Sequence, residues 1–150
     1  MERRRHHVDH DHLFASLYER CPRDLRVVAA PFEVQLAIDT AVQPDLIVTR
    51  FADLTRKNLP VPPMLAVEIR SPSTALIDRN LKRATYERFG IPSYWLVDPD
   101  PEQPTLTVLE LKSGAYVERA TIAGEESMDV AAPFDVRLCS SHLTRDLRSE

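Results

Sequence analysis

Three features of this chain predict an α/β fold. A stretch with helical periodicity over residues 75–89 lies between two apolar, strand-like runs at 64–69 and 93–98. A helix between two core strands implies a parallel crossover pair. Phe32, Val34, Leu36 and Ile38 alternate with Glu33, Gln35 and Ala37, the period-two signature of a half-buried strand. Beyond Pro101 the chain reads as antiparallel strands around a Lys112-Ser113-Gly114 turn, an appendage to the α/β core.

The elements follow in order. Residues 1–9 are charged and histidine-rich and read as a flexible arm leading into a helix. That helix starts near Asp9 or Asp11, turns Leu13, Leu17 and Phe14 inward, and stops after Glu19 at Cys21-Pro22. Strands are expected at 25–30 and 32–38, parted by Pro31, then a turn at Asp39-Thr40 and a strand at 45–50. Residues 53–63 form a polar, proline-rich loop. The 64–69 strand ends at Ser71-Pro72-Ser73-Thr74, where Ser73 or Thr74 caps the long helix and Gly90 closes it. Strands at 93–98, 105–111, 115–122 and 134–138 complete the chain. No repeat or linker divides it, so a single domain spanning 1–150 is expected.

Bulk composition narrows the function classes. A domain of 150 residues buries roughly 70% of its unfolded surface, enough for a sizeable core. The net charge of −4 argues against gripping nucleic acid mainly through a basic surface, but active-site acids contribute to that total. With 3 glycines and neither GxGxxG nor GxxxxGK[ST], the usual nucleotide cradles are absent. No apolar run approaches the roughly 18 residues of a membrane helix, and no apolar segment follows Met1-Glu2-Arg3-Arg4-Arg5. A cytoplasmic protein without a membrane partner is the expectation. Cys21 and Cys139 stand alone and are expected to be reduced and structural.

Glu68 breaks the apolar run Met64-Leu65-Ala66-Val67-Glu68-Ile69. An ionised carboxylate inside a buried strand costs several kcal/mol unless a cation meets it. Asp45 opens a second apolar run, Asp45-Leu46-Ile47-Val48. On a helical wheel Ala84, Leu81 and Phe89 share one side of the long helix, and Arg79, Asn80, Arg83 and Glu87 take the other. Lys82 falls on the flank near Tyr86. It can lean inward toward Glu68 or form an exposed i,i+4 pair with Asp78. Two acids and a lysine suit phosphodiester hydrolysis. Hard oxygens favour Mg²⁺, and an ammonium orients water or, with a depressed pKa, acts as base.

In its acids the order Pro44-Asp45, Glu68-Ile69-Arg70 resembles the PD-(D/E)XK nuclease signature. More narrowly, VQPDLIV, AVEIRSPST, DRNLKRATYERFGIPSYWLVDP and PFDVRL are similar to motifs of the Uma-type family of endonucleases, over about 28–138. The resemblance implies a restriction-endonuclease-like αβββαβ core with a mixed sheet. It also implies an endonuclease cutting DNA with Mg²⁺ or Mn²⁺. Asp45 and Glu68 would be metal ligands, the Ile69 carbonyl a third, and Lys82 the catalytic lysine, displaced from the position held here by Arg70. By analogy with nucleases that cut two strands, a homodimer is expected.

Rival readings accompany these residues. Arg70 cannot serve as a base and could instead pair with Glu68, leaving a non-catalytic module for binding or assembly. Glu33 reads as a solvated acid, and Tyr86 and Trp95 as packing residues. The histidines His6, His7, His10 and His12 read as part of an arm or first turn rather than a transition-metal site. Ser71, Ser73 and Thr74 read as turn and cap residues. A metal-dependent hydrolase acting on another substrate is the third alternative.

Overall fold

The computed structural model describes residues 12–70 and 76–140. A helix, α1, is described over 12–20. Eleven strands follow: β1 Leu25–Ala29, β2 Glu33–Ala37, β3 Thr40–Val42, β4 Leu46–Arg50, β5 Asn58–Leu59, β6 Leu65–Ile69, β7 Ser93–Asp98, β8 Thr105–Lys112, β9 Ala115–Ala123, β10 Ser127–Val130 and β11 Val136–Cys139. Helix α2, Leu76–Arg88, separates β6 from β7. The N-terminal arm with His6, His7 and His10, and the turn carrying Ser71, Ser73 and Thr74, lie outside the described residues.

The central sheet has six strands in the order β1-β4-β6-β7-β8-β9. As expected of a crossover through α2, β6 and β7 run parallel, with Val67 opposite Trp95 and Glu68 opposite Leu96. The other pairings in this sheet are antiparallel. The sheet is therefore mixed, and β8 and β9 extend it directly from β7. Ser113 and Gly114 both take positive φ, 53° and 82°, in the tight turn between β8 and β9.

Each face has its own cover. Leu65, Val67 and Ile69 of β6 join a large apolar cluster with Leu13 and Leu17 of α1 and with Val130, Val136 and Leu138 of the β10–β11 hairpin. Trp95 is fully buried in this cluster, as packing predicts. On the opposite face Ala66 meets Tyr86, Ile91, Tyr94 and Tyr116 beneath α2. A separate three-stranded sheet, β3-β2-β5, packs there through Val34, Ile47 and Leu59.

Three sequence expectations are corrected. The 53–63 loop contains β5, which pairs in parallel with β2. A two-residue strand is too short to carry a period. Strand β10 is polar at Ser127 and Asp129 and gave little apolar signal, yet it pairs with β11 along its length. Ile38 is wholly exposed because β2 ends at Ala37 and the chain turns into β3.

The end of α2 is built as the sequence suggests. Gly90 takes φ +74°, Gly90 N–H donates to the Glu87 carbonyl at 3.1 Å, and Ile91 N–H donates to the Tyr86 carbonyl at 3.1 Å. These bonds form a Schellman cap, and Ile91 packs with Tyr86 beneath it. The cap fixes the last turn of the helix and with it the height of the Tyr86 ring above the sheet.

Candidate active site

Glu68 is 8% exposed, on the β6 face that looks toward α2. Two groups of that helix reach its carboxylate. The Tyr86 hydroxyl donates to Oε1 at 2.6 Å, and the Lys82 ammonium lies 3.3 Å from Oε2. Lys82 and Tyr86 are four residues apart, so one helical stripe presents both to one strand residue. Asp78 stands 3.8 Å from Lys82, so the lysine makes both of the pairs that the sequence offered as alternatives.

Asp45 reaches the same place from the start of β4. Its Oδ2 accepts a hydrogen bond from the Ile69 backbone N–H at 2.6 Å, beside Glu68 in sequence. Asp45, Glu68, Ile69 and Lys82 all line one cleft of about 270 Å³. Glu33 lies on β2, opposite Asn58 in the smaller sheet, and takes no part in lining it.

Charge in the cleft is tightly coupled. Burial raises the Glu68 carboxyl from 4.5 to about 7; Lys82 opposes that shift, Asp45 adds to it, and the Tyr86 hydrogen bond opposes it. For Lys82, burial acts to lower the pKa, but the Glu68 carboxylate outweighs it and the net shift is upward. Lys82 is therefore an ammonium in this arrangement, suited to donating hydrogen bonds and not to accepting a proton. Tyr86 is pushed far above its ordinary value by burial, then by Glu68, and remains a donor.

Arg70 does not make the rival pair with Glu68. Its guanidinium is 3.2 Å from Asp98 Oδ2, on the open side of the cleft, with both side chains well exposed. Glu68 is held by Lys82 and Tyr86 instead. Arg70 is one residue past the end of β6, where its N–H still bonds the Val97 carbonyl at 2.7 Å. That pairing carries it along β7 toward Asp98.

The helical wheel also needs correction. Leu81 is 62% exposed and Ala84 is exposed, whereas Arg79, Lys82 and Tyr86 face the cleft or the sheet. Arg83 donates to the Tyr116 carbonyl at 3.2 Å, and Glu87 accepts from the Tyr116 N–H at 2.7 Å. The inward stripe of α2 is polar because it covers a buried acid and the outer backbone of β9. A wheel weighted by hydrophobicity turns such a helix the wrong way. Sequence reading missed Arg79 and Asp98 at the cleft and gave Tyr86 a packing role alone; the spacing Arg79, Lys82, Tyr86 on one helical face was the available signal.

The donors fit a hard divalent cation. Asp45 and Glu68 offer carboxylate oxygens in one cleft, and no soft ligand stands among its lining residues. Among the described residues no group of three or more His, Cys, Asp or Glu side chains forms a metal cluster. A metal here would therefore complete its shell with a backbone oxygen, water and substrate. Also among the described residues, no helix is long and apolar enough to cross a membrane.

Comparison with known proteins agrees with this architecture. The crystal structure of "a putative nuclease belonging to DUF820" from Anabaena variabilis superposes with a TM-score of 0.68 at 17% identity, over 94% of this chain and 80% of that one. At that identity the likeness concerns the fold, which is restriction-endonuclease-like. No curated protein matches the chain. Residues 1–140 match the family model Uma2, "Putative restriction endonuclease". With a sheet of this topology and a match over most of its length, the chain belongs to the Uma2 family.

Proposed function

We propose that this protein is an endonuclease that hydrolyses DNA phosphodiester bonds with Mg²⁺ or Mn²⁺ at the Asp45–Glu68 cleft. The observation that carries the reading is Glu68 itself: a buried carboxylate raised to about 7, beside a second acid and facing a cleft. Such a group gains most from a divalent cation, which replaces a proton at the acid. Asp45 and Glu68, with the Ile69 carbonyl, would hold the ion. When bound, it would acidify water and offset charge building at phosphorus.

The chain's own residues divide the remaining work. Tyr86 holds Oε1 of Glu68 and fixes the carboxylate plane. The Ile69 N–H holds Oδ2 of Asp45 and so orients that carboxylate at the cleft. Lys82 is the catalytic lysine of this reading: its ammonium orients the attacking water and stabilises the charged transition state. A cleft of about 270 Å³ admits a backbone phosphate more readily than a whole base pair, so the substrate strand would pass across the cleft mouth. Cutting both strands of a duplex would take a homodimer, and a cytoplasmic setting would supply the DNA.

Glu68→Ala and Asp45→Asn test this. Each should lower Mg²⁺-dependent plasmid cleavage by roughly a thousandfold or more, the size of several kcal/mol of metal-borne stabilisation. Calorimetric titration should show Mg²⁺ binding to the native protein and not to Glu68→Ala. Native-level cleavage by either folded variant would sink the assignment.

A further inference from the structure

Three cations line the cleft: Arg70, Arg79 and Lys82. Two are matched by carboxylates, Arg70 by Asp98 and Lys82 by Glu68. Arg79 has no such match among the described residues, and its Nε is buried there without a hydrogen-bond partner. Buried donors in folded proteins are nearly always satisfied; Arg79 lines the cleft with a guanidinium that no carboxylate among the described residues balances, which leaves its charge for an anion entering the cleft. Arg79 is three residues before Lys82, on the same side of α2, so an anion held by one lies next to the other.

We propose that Arg79 is the phosphate-seating residue of this cleft, taking a non-bridging oxygen of the substrate's phosphodiester. The proposal rests on the nuclease reading for its substrate but not for its chemistry, which is recognition of a tetrahedral oxyanion. A guanidinium suits that task because its planar donors match two oxygens at once, which an ammonium cannot do. The seat accounts for how an acidic chain holds a polyanion: the attraction is local, at one unmatched cation, and not spread over a basic surface. It also places phosphorus within the field of Lys82, where an ammonium is of use.

The test uses the full chain as wild type, Arg79→Gln and Arg79→Lys, each checked for folding by circular dichroism. The first arm titrates inorganic phosphate and follows it by ¹H–¹⁵N chemical shifts. Wild type should bind, Arg79→Gln should bind roughly tenfold more weakly, and Arg79→Lys should recover part of the loss. Phosphate affinity equal in wild type and Arg79→Gln, or no binding by wild type, overturns the proposal.

The second arm measures binding of a short DNA duplex in Ca²⁺ and cleavage in Mg²⁺. Arg79→Gln should reduce the slope of log affinity against log salt by about one, with Mg²⁺ affinity unchanged. A loss confined to kcat identifies the seated group as the scissile phosphate, and a loss confined to KM identifies a flanking one; either supports the seat. Wild type that binds phosphate but cuts no DNA defeats the nuclease reading and leaves the seat standing. Wild-type cleavage with unaltered kcat, KM and phosphate affinity in Arg79→Gln defeats the seat alone.

Discussion

The two faces of the central sheet bury their side chains by different means. Beneath α1 and the β10–β11 hairpin the packing is dominated by apolar side chains, from Leu17 across Val67 and Trp95 to Leu138. Beneath α2 the same strands present Glu68, and burial is completed by a phenol, an ammonium and tyrosine rings. Tyr94 stands between Tyr86, edge-on at 5.1 Å, and Tyr116, tilted at 5.5 Å. The first face holds the fold by volume. The second holds an acid in a state that solvent would not give it. Adjacent residues of one strand, Val67 and Glu68, therefore answer to different physical demands.

Substitutions on the two faces should separate those demands. Leu17→Ala opens a cavity on the apolar face and should cost about 2–5 kcal/mol in urea unfolding, while leaving the Mg²⁺ affinity of the folded protein unchanged. A matching fall in metal affinity would show that the faces are not independent.

On the other face the expected signature is a dependence on pH. Glu68 titrates near 7 in the folded chain against 4.5 ordinarily, so between those values the folded protein holds a proton that the unfolded chain has released. Stability is then fully present below about 4.5 and declines as pH rises through about 7, by about 3 kcal/mol in all. The upward shift of Lys82 adds a further loss only above its ordinary 10.5. Unfolding curves from pH 4 to 8 should show the decline in wild type and a flatter profile in Glu68→Gln. Identical profiles would mean that Glu68 is not the buried acid described.

Tyr86→Phe removes one hydrogen bond and keeps the ring. It should cost about 1.5–3 kcal/mol where Glu68 is ionised, and it should move the Glu68 titration above 7, since the phenol holds it down. An NMR titration of the Glu68 carboxyl carbon reads this directly, and an unmoved midpoint would remove Tyr86 from the site. Arg70→Ala should be the smallest change, under about 1 kcal/mol, because its pair with Asp98 is solvent-exposed. A larger loss would show that Arg70 reaches further into the cleft than the Asp98 contact implies.

Much of this division was legible in the sequence. The alternation of β2, the apolar runs of β4, β6 and β7, Gly90 at a helix end and the parallel crossover each have a local signal. So did the chemical oddity of Glu68. What could not be read was orientation. The inward face of α2 carries Arg79, Lys82 and Glu87 while Leu81 faces solvent. Hydrophobic periodicity finds the buried side of a helix only when what lies beneath is apolar. The partner of Arg70 was hidden for a related reason: it depends on β7 lying beside β6, 28 residues along the chain. Strand β5, with two residues, is too short to announce itself.

The clamp on Tyr116 bears on how copies of this protein could meet. Strand β9 is an edge of the central sheet, and edges invite strand addition. Arg83 and Glu87 occupy the outward carbonyl and amide of Tyr116 from the side. A neighbouring chain cannot dock a strand there without displacing both. A dimer made by joining sheets edge to edge along β9 would therefore have to avoid Tyr116. The same two side chains that tie α2 to β9 thus also make strand addition at Tyr116 costly.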